Sequence, residues 1–269
     1  MLNRDELIAL VETVSPRRGW DFSSVRDDRA PVPWNYEEVV RRYLSPDDTV
    51  LDIGTGGGER FLSLSDAYHR GLGVDPAPDM LRVARENAAA LSIEHVSFAA
   101  MSAERLELDA DTFDVVLNRH ANLCAAEVMR VLRPGGVFIT QQVGARNLGN
   151  ICALFGCGPG GEYDPPQPPI ATIADEFRRL GGRVLCTAEY DVDYDFLDVQ
   201  SLLFLLQGVG IPTDFDITRH WPQVVEIITR YAVPGDDVGI AGAGDSGYTG
   251  VTRIRSNEHR ELLIVKKEG

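Results

Sequence analysis

The chain has 269 residues, a length that suits one domain of about 200–250 residues carrying an insertion better than two equal domains. With 44% hydrophobic and 25% charged residues it can bury a proper core and stay soluble. Lys and Arg number 26 against 41 Asp and Glu, a net charge of −15 with no standout basic patch, which disfavours nucleic acid and leans towards a small-molecule partner.

Residues 1–45 read as an N-terminal helical lid segment. Helical stretches near 4–14 and 35–44 flank SPRRGWDFSSVRDDRAPVPW, whose prolines and polar residues break regular structure. The first stretch, MLNRDELIALVETV, is amphipathic and carries acids, unlike a secretory leader. No run approaches the roughly 18 apolar residues of a membrane span, so the expected location is the cytoplasm.

From residue 46 the rhythm changes. DTVLDI reads as a strand, 58–69 as a helix and GLGVD as a second strand. PDMLRVARENAAALS is a helix with apolar residues at 80, 81, 84, 88 and 91. HVSFAA and FDVVLN are the third and fourth strands, CAAEVMRVLRPGG a helix stopped at Pro134, and VFITQQV the fifth strand. RVLCTAEYDV follows a helix near 171–180, and ELLIVKK is the final strand. Such alternation predicts a Rossmann-like, doubly wound α/β fold with a seven-stranded, mostly parallel sheet. Its core spans 46–192, a substrate cover is inserted at 193–257, and the last strand occupies 258–269. DVQSLLFLLQGVGIP and 218–231 supply apolar helices to the cover. Two Gly-rich loops, 156–169 and 235–250, are longer than connectors need, and the second reads as a flap.

The stretch VLDIGTGGGE leaves backbone bare directly after the first strand, where a ligand can lie on it and face a helix N-terminus. A dinucleotide fingerprint, GxGxxG, fails at its third place, which is Glu59, and no Lys-Ser/Thr follows to make a phosphate loop. What stands is DxGxGxG: Asp52, Gly54, Gly56 and Gly58. This resembles the first motif of the class I S-adenosylmethionine-dependent methyltransferases. The resemblance implies S-adenosyl-L-methionine as cofactor, with Asp52 meeting the methionine ammonium directly or through water and Gly54 and Gly56 making room. A carboxylate suits an ammonium and would repel a pyrophosphate.

Asp75, 23 residues after Asp52, stands where the family's acid accepts the ribose hydroxyls. In SAERLEL, Ser102 occupies the place of the family's adenine-binding Asp, with Met101 covering the ring. Thr55, Pro76, Ala103 and Asn118 complete the implied cofactor set. EVMRVLRPGGVFI is also typical of the family, and the resemblance covers residues 48–143 plus the final strand. Family relatives are often dimers, so a homodimer is a further implication. A narrower likeness, on NRHANLCAAEVMRVLRPGGVFITQQVGARNL, is to ribosomal RNA guanine methyltransferases and their small-molecule relatives. The RNA enzymes carry an N-terminal zinc module, whereas this chain has no cysteine before Cys124. Its four cysteines form no CxxC pair, and no metal is expected.

Methyl transfer needs a nucleophile held in line, with a base only where a proton must leave early. In this family the substrate lies beyond the end of the fourth strand, which here reads NRH. Asn118, Arg119 and His120 are therefore the catalytic candidates, His120 as base or as hydrogen-bonding group. Arg119 either pairs with an acid or holds a substrate carboxylate. Asn122 is the better N-cap for the following helix. Gln141 and Gln142, at the end of the fifth strand, and Trp34 and Tyr36, in the lid, are the substrate candidates. The expected activity is methyl transfer to O or N, possibly C, of a small, partly apolar metabolite. The alternatives are an RNA base methyltransferase, or a non-catalytic cofactor-binding partner of another subunit.

Overall fold

The computed structural model describes residues 4–12, 14, 18–157, 168–233 and 253–269. In chain order the elements are α1 (Arg4–Glu12), β1 (Asp27–Arg29), α2 (Tyr36–Arg41), β2 (Thr49–Ile53), α3 (Glu59–Leu62), β3 (Arg70–Asp75), α4 (Pro78–Ala90), β4 (Val96–Ala100) and β5 (Phe113–Arg119). Then come α5 (Ala125–Val131), β6 (Leu132–Val143), α6 (Gly149–Leu154), α7 (Ile170–Arg179), β7 (Gly182–Phe196), α8 (Val199–Val209), α9 (Ile217–Tyr231), β8 (Ala232–Val233) and β9 (Arg253–Lys267).

One sheet organises them, in the order β1-β7-β9-β6-β5-β2-β3-β4, with β8 beside β9. Strands β4, β3, β2, β5 and β6 run parallel; α3, α4 and α5 lie in the β2–β3, β3–β4 and β5–β6 crossovers, and residues 101–112 link β4 to β5 without a helix. β9 is antiparallel to both β6 and β7. The order reverses between β2 and β5, and there the carboxyl ends of the strands open a crevice.

Two short strands raise the count from the expected seven to nine: β1 pairs with the end of β7, and β8 with the start of β9. The cause is the length of β7 and β9. Their pairing runs from Gly182↔Lys267 to Phe196↔Ile254, because the period-two pattern of EYDVDYDF continues as strand. The cover boundaries expected at 193 and 258 therefore fall inside β7 and β9. The expected helix over 58–69 also shrinks, to α3 and a 3₁₀ turn at Ser65–Ala67. The Ser63 hydroxyl donates to the Arg60 carbonyl at 2.8 Å, a side-chain bond that competes with helix propagation. Helix α5 stops at Val131, before Pro134, since the residue preceding a proline is pushed out of helical conformation.

Apolar side chains fill both faces of the sheet. Leu51, Ile53, Val116 and Phe138 join α5 and α7 on one face; Val50, Leu117, Ile139 and Leu262 join α2 on the other. A third cluster joins the extended ends of β7 and β9 to α1, α6, α8 and α9 through Phe196, Ile254, Leu202, Leu206 and Ile227. Each such side chain contributes about 1.5–3 kcal/mol when fully buried. The apolar α8 thus packs inwards. Asp198 caps it by accepting from Ser201 N at 2.6 Å, and Gly210 ends it at φ 67°. The flap expected at 235–250 and most of the loop at 156–169 lie outside the described residues.

Candidate functional site

The residues singled out from the sequence line the carboxyl edge of the parallel strands. Gly54 N and Thr55 N both donate to the Val74 carbonyl, at 2.8 and 3.0 Å, folding the glycine loop over the end of β3. Gly54 has φ 77°, and a Cβ there would sit 2.2 Å from the Ala121 Cβ. Gly56 has φ 55°, and a Cβ there would meet the Trp20 indole at 2.3 Å. These conformations and approaches favour glycine.

Asp75 is held by both oxygens. Gly56 N donates to Oδ2 and Ala77 N, just past Pro76, to Oδ1, each at 2.9 Å. Each oxygen keeps acceptor capacity for a diol. Asp52 is half-buried on β2, and burial pushes its carboxyl up to about 7; Thr55 and Arg119 offset the rise while Asp75 adds to it. A carboxyl this costly to ionise gains from a cation placed beside it. Beyond β4, Met101 packs on the core, Ala103 is buried and Ser102 closes a small bridge with Arg105.

Across the switch point, Asn118 proves to be a tie within the protein. Its Nδ2 donates to Ile53 O and Asn122 O, both at 3.0 Å. Its Oδ1 accepts from Thr140 Oγ1 at 3.0 Å and Gln142 Nε2 at 2.6 Å. Two donors and two lone pairs are then all used, so the side chain has nothing left for a substrate. The Gln142 amide nitrogen is likewise engaged, with Asn118 Oδ1, Thr140 Oγ1 and Ala121 O within hydrogen-bond distance. Asn118 and Gln142, singled out as a catalytic and a substrate residue, thus spend these hydrogen bonds on the protein itself. Successive strand residues face opposite ways, and the sequence alone did not say which glutamine turned inwards. The capping role expected of Asn122 also fails, because α5 starts later and has Cys124 at its N-cap.

Gln141 turns to the other face and meets two candidates. Trp34 Nε1 donates to Gln141 Oε1 at 2.9 Å, and Gln141 Nε2 lies 3.2 Å from His120 Nε2. An indole N–H can only donate, so the amide oxygen faces Trp34 and the amide nitrogen donates to His120. His120 Nε2 is thereby an acceptor and its ring proton sits on Nδ1. The residue has φ 54°, outside the usual range for a non-glycine, as sites often require. Burial, then Arg119, holds its pKa well below the usual range, so the imidazole is neutral at pH 7. This favours a hydrogen-bond donor at Nδ1 over a general base, because the Nε2 lone pair is spoken for.

Tyr36 opens α2 behind an Asn35 cap. The Arg119 guanidinium lies 5.9 Å from the centroid of the Tyr36 ring, a cation–π distance. Trp34 in turn stands edge-on to Tyr190 with centroids 4.7 Å apart, and the Tyr190 hydroxyl donates to Glu258 Oε1 at 2.6 Å.

Sequence reasoning missed Trp20, which lies across the glycine loop, and the Tyr190–Glu258–Arg260 wall. Trp20 sits in a polar, aperiodic stretch with nothing to mark it beyond its size. The wall needs strand pairing, Tyr190↔Arg260, between residues far apart in sequence. Glu189, His259 and Glu261 bring potential metal ligands within 4.8 Å of one another. Arg146 forms ion pairs there with Asp191 at 2.9 Å and Glu189 at 3.7 Å, and its backbone N donates to His259 Nδ1 at 3.1 Å.

A parallel sheet with this strand order, an antiparallel β9 and a glycine loop after its central strand is the fold of the class I S-adenosylmethionine-dependent methyltransferases. Residues 50–136 match the family described as a methyltransferase domain. The chain is 35% identical over 97 residues to the uncharacterized methyltransferase YcgJ of Bacillus subtilis, a match covering 34% of this chain and 38% of that protein. The crystal structure of YcgJ superposes with a TM-score of 0.59 at 18% identity, over 87% of this chain and 98% of that one. An uncharacterized methyltransferase of Schizosaccharomyces pombe is 30% identical over 156 residues, 52% of this chain and 56% of that protein. The chain thus spans less than two thirds of the length of these curated relatives. Among the described residues no helix is long and apolar enough to cross a membrane.

Proposed function

We propose that the chain is an S-adenosylmethionine-dependent methyltransferase acting on O or N of a small metabolite. One observation carries the cofactor reading: a glycine loop with Gly54, Gly56 and Gly58 at positive φ, folded over the end of β3 beside a carboxylate, Asp75, that is pinned by the loop's own Gly56 N–H. Asp75 suits a ribose diol, Asp52 an ammonium, and the backbone around Gly54 and Gly56 the body between them. Pro76, Met101, Ser102 and Ala103 follow the strand ends that would hold the adenine. The bound cofactor supplies a methyl group on a sulfonium, an electrophile that needs no metal.

The chain's own residues have three tasks. Asp52 and Asp75 orient the cofactor. Trp34 and Tyr36 shield one side of the crevice. His120, held through Gln141 and Trp34, presents Nδ1–H to the acceptor and fixes its approach, and positioning of this kind supplies much of the rate of a direct displacement. An acidic chain with no standout basic patch supports a metabolite over RNA as acceptor.

Titration calorimetry with S-adenosylhomocysteine tests the cofactor reading. Binding of one equivalent that is weakened at least tenfold by Asp75→Ala supports it. Absence of binding contradicts it.

A further inference from the structure

We infer that the acceptor is an anion whose carboxylate is held by Arg119. The inference rests on the methyltransferase reading and deepens it by naming the substrate class.

Arg119 is half-buried at the end of β5, and among the described residues its guanidinium has neither ion pair nor hydrogen bond. Its contact is the face of Tyr36. Other arginines without a carboxylate partner among the described residues, such as Arg4, Arg42 and Arg255, stand exposed in water, where an unpaired charge costs little. The neighbouring arginines are all paired: Arg60 with Glu37 at 2.5 Å, Arg29 with Glu258 at 3.0 Å, and Arg260 with Glu258 at 3.2 Å. The carboxylate that interacts with Arg119 is Asp52, on the neighbouring strand, and Asp52 is the group suited to the cofactor's ammonium. A desolvated charge without a partner is destabilising, and burial here presses the guanidinium down to about 10. Such an arrangement persists where a ligand supplies the missing charge.

The register places this cation beyond the cofactor cradle. Leu117 pairs with Asp52 on β2, so Arg119 lies two residues further along the same face, one strand over. On its other side Arg119 pairs with Gln141, whose amide binds His120. The guanidinium fork and the His120 Nδ1–H are adjacent donors, neither with a partner among the described residues. A planar carboxylate fits a guanidinium fork bidentately.

A carboxylate could come from the acceptor or from the cofactor's methionine end, and the test separates them. Protein saturated with S-adenosylhomocysteine is titrated with acetate, benzoate and 3-phenylpropanoate, and with the corresponding amides. At least one carboxylate is expected to bind tenfold or more tightly than its amide. Arg119→Gln removes that preference, Arg119→Lys retains part of it, and both keep the affinity for S-adenosylhomocysteine within about threefold. Wild-type protein that binds every carboxylate no better than its amide overturns the inference. So does an Arg119→Gln variant that loses tenfold or more in affinity for S-adenosylhomocysteine but none for 5′-methylthioadenosine, which lacks the carboxylate. Wild-type protein that fails to bind S-adenosylhomocysteine at all removes the methyltransferase reading itself. Thermal unfolding of both variants shows whether they fold.

Discussion

His120 shows how much one side chain's role depends on its neighbours. By residue type it is the natural base of the NRH triplet. The indole of Trp34 fixes the Gln141 amide, the amide occupies Nε2, and the proton left on Nδ1 makes the ring a donor. Asparagine can offer an amide N–H in nearly the same place and tolerates the φ of 54°. We therefore expect His120→Asn to retain at least a tenth of the methyl-transfer rate and His120→Ala to lose about 10²-fold, a margin typical of a lost proton-handling or donor group. If His120 were a base, both variants would fail equally. Asp52 gives a pH test. Its carboxyl is raised to about 7 by burial, and a bound ammonium favours its ionised form, so cofactor binding releases a proton. At pH 6 only about a tenth of such a group is ionised, so affinity for S-adenosylhomocysteine should rise about tenfold from pH 6 to pH 8. Asp52→Asn should bind more weakly and without that rise; a wild-type affinity constant across this range would refute the assignment. At this scale the spacing of Asp52, Gly54, Gly56 and Asp75 expresses one backbone geometry, and the structure gathers all four at the carboxyl edge of β2 and β3. The hydrogen bonds that tie Asn118 to Thr140 and Gln142 were not legible, because they appear only once β5 and β6 are paired.

Among the elements, the glycine loop makes the sharpest claim. Gly56 sits at φ 55° under the Trp20 indole, so alanine there strains the backbone and pushes on the ring. Gly56→Ala should destabilise the fold by about 1–2 kcal/mol and weaken the cofactor at least tenfold, measurable by denaturant unfolding and calorimetry. A ligand bound at Gly56 has to displace the Trp20 indole that lies over it. Tryptophan fluorescence should change on adding S-adenosylhomocysteine, and Trp20→Phe should remove most of that change. An unchanged signal in the wild type would separate Trp20 from the cofactor. The parallel core was readable because apolar strands and amphipathic helices alternate from residue 48 onward. The nine-stranded outcome was less so: β1 has three exposed residues and β8 two half-buried ones, and both form only because β7 and β9 run past the sheet. Pairings over such distances leave no local mark.

For the molecule as a whole, charge and placement combine. The chain carries −15 overall yet gathers Arg119, Arg60, Arg260 and Arg29 around one end of the crevice. With Arg60, Arg29 and Arg260 each paired to a carboxylate, Arg119 is left without an ion pair among the described residues, which suits one compact anion better than a polynucleotide, whose many phosphates would meet the surrounding acids. The apolar cluster under α8 and α9 closes the same end of the sheet and keeps it low in dielectric, which strengthens the few charges left inside. The most direct measurement uses S-adenosylmethionine labelled in its methyl group, incubated with the purified protein and, separately, with small-molecule and RNA fractions of a cell extract. The account predicts label in an acidic small molecule, with transfer lowered about 10²-fold by His120→Ala. Label in RNA, or tight cofactor binding with transfer to neither fraction, would contradict it.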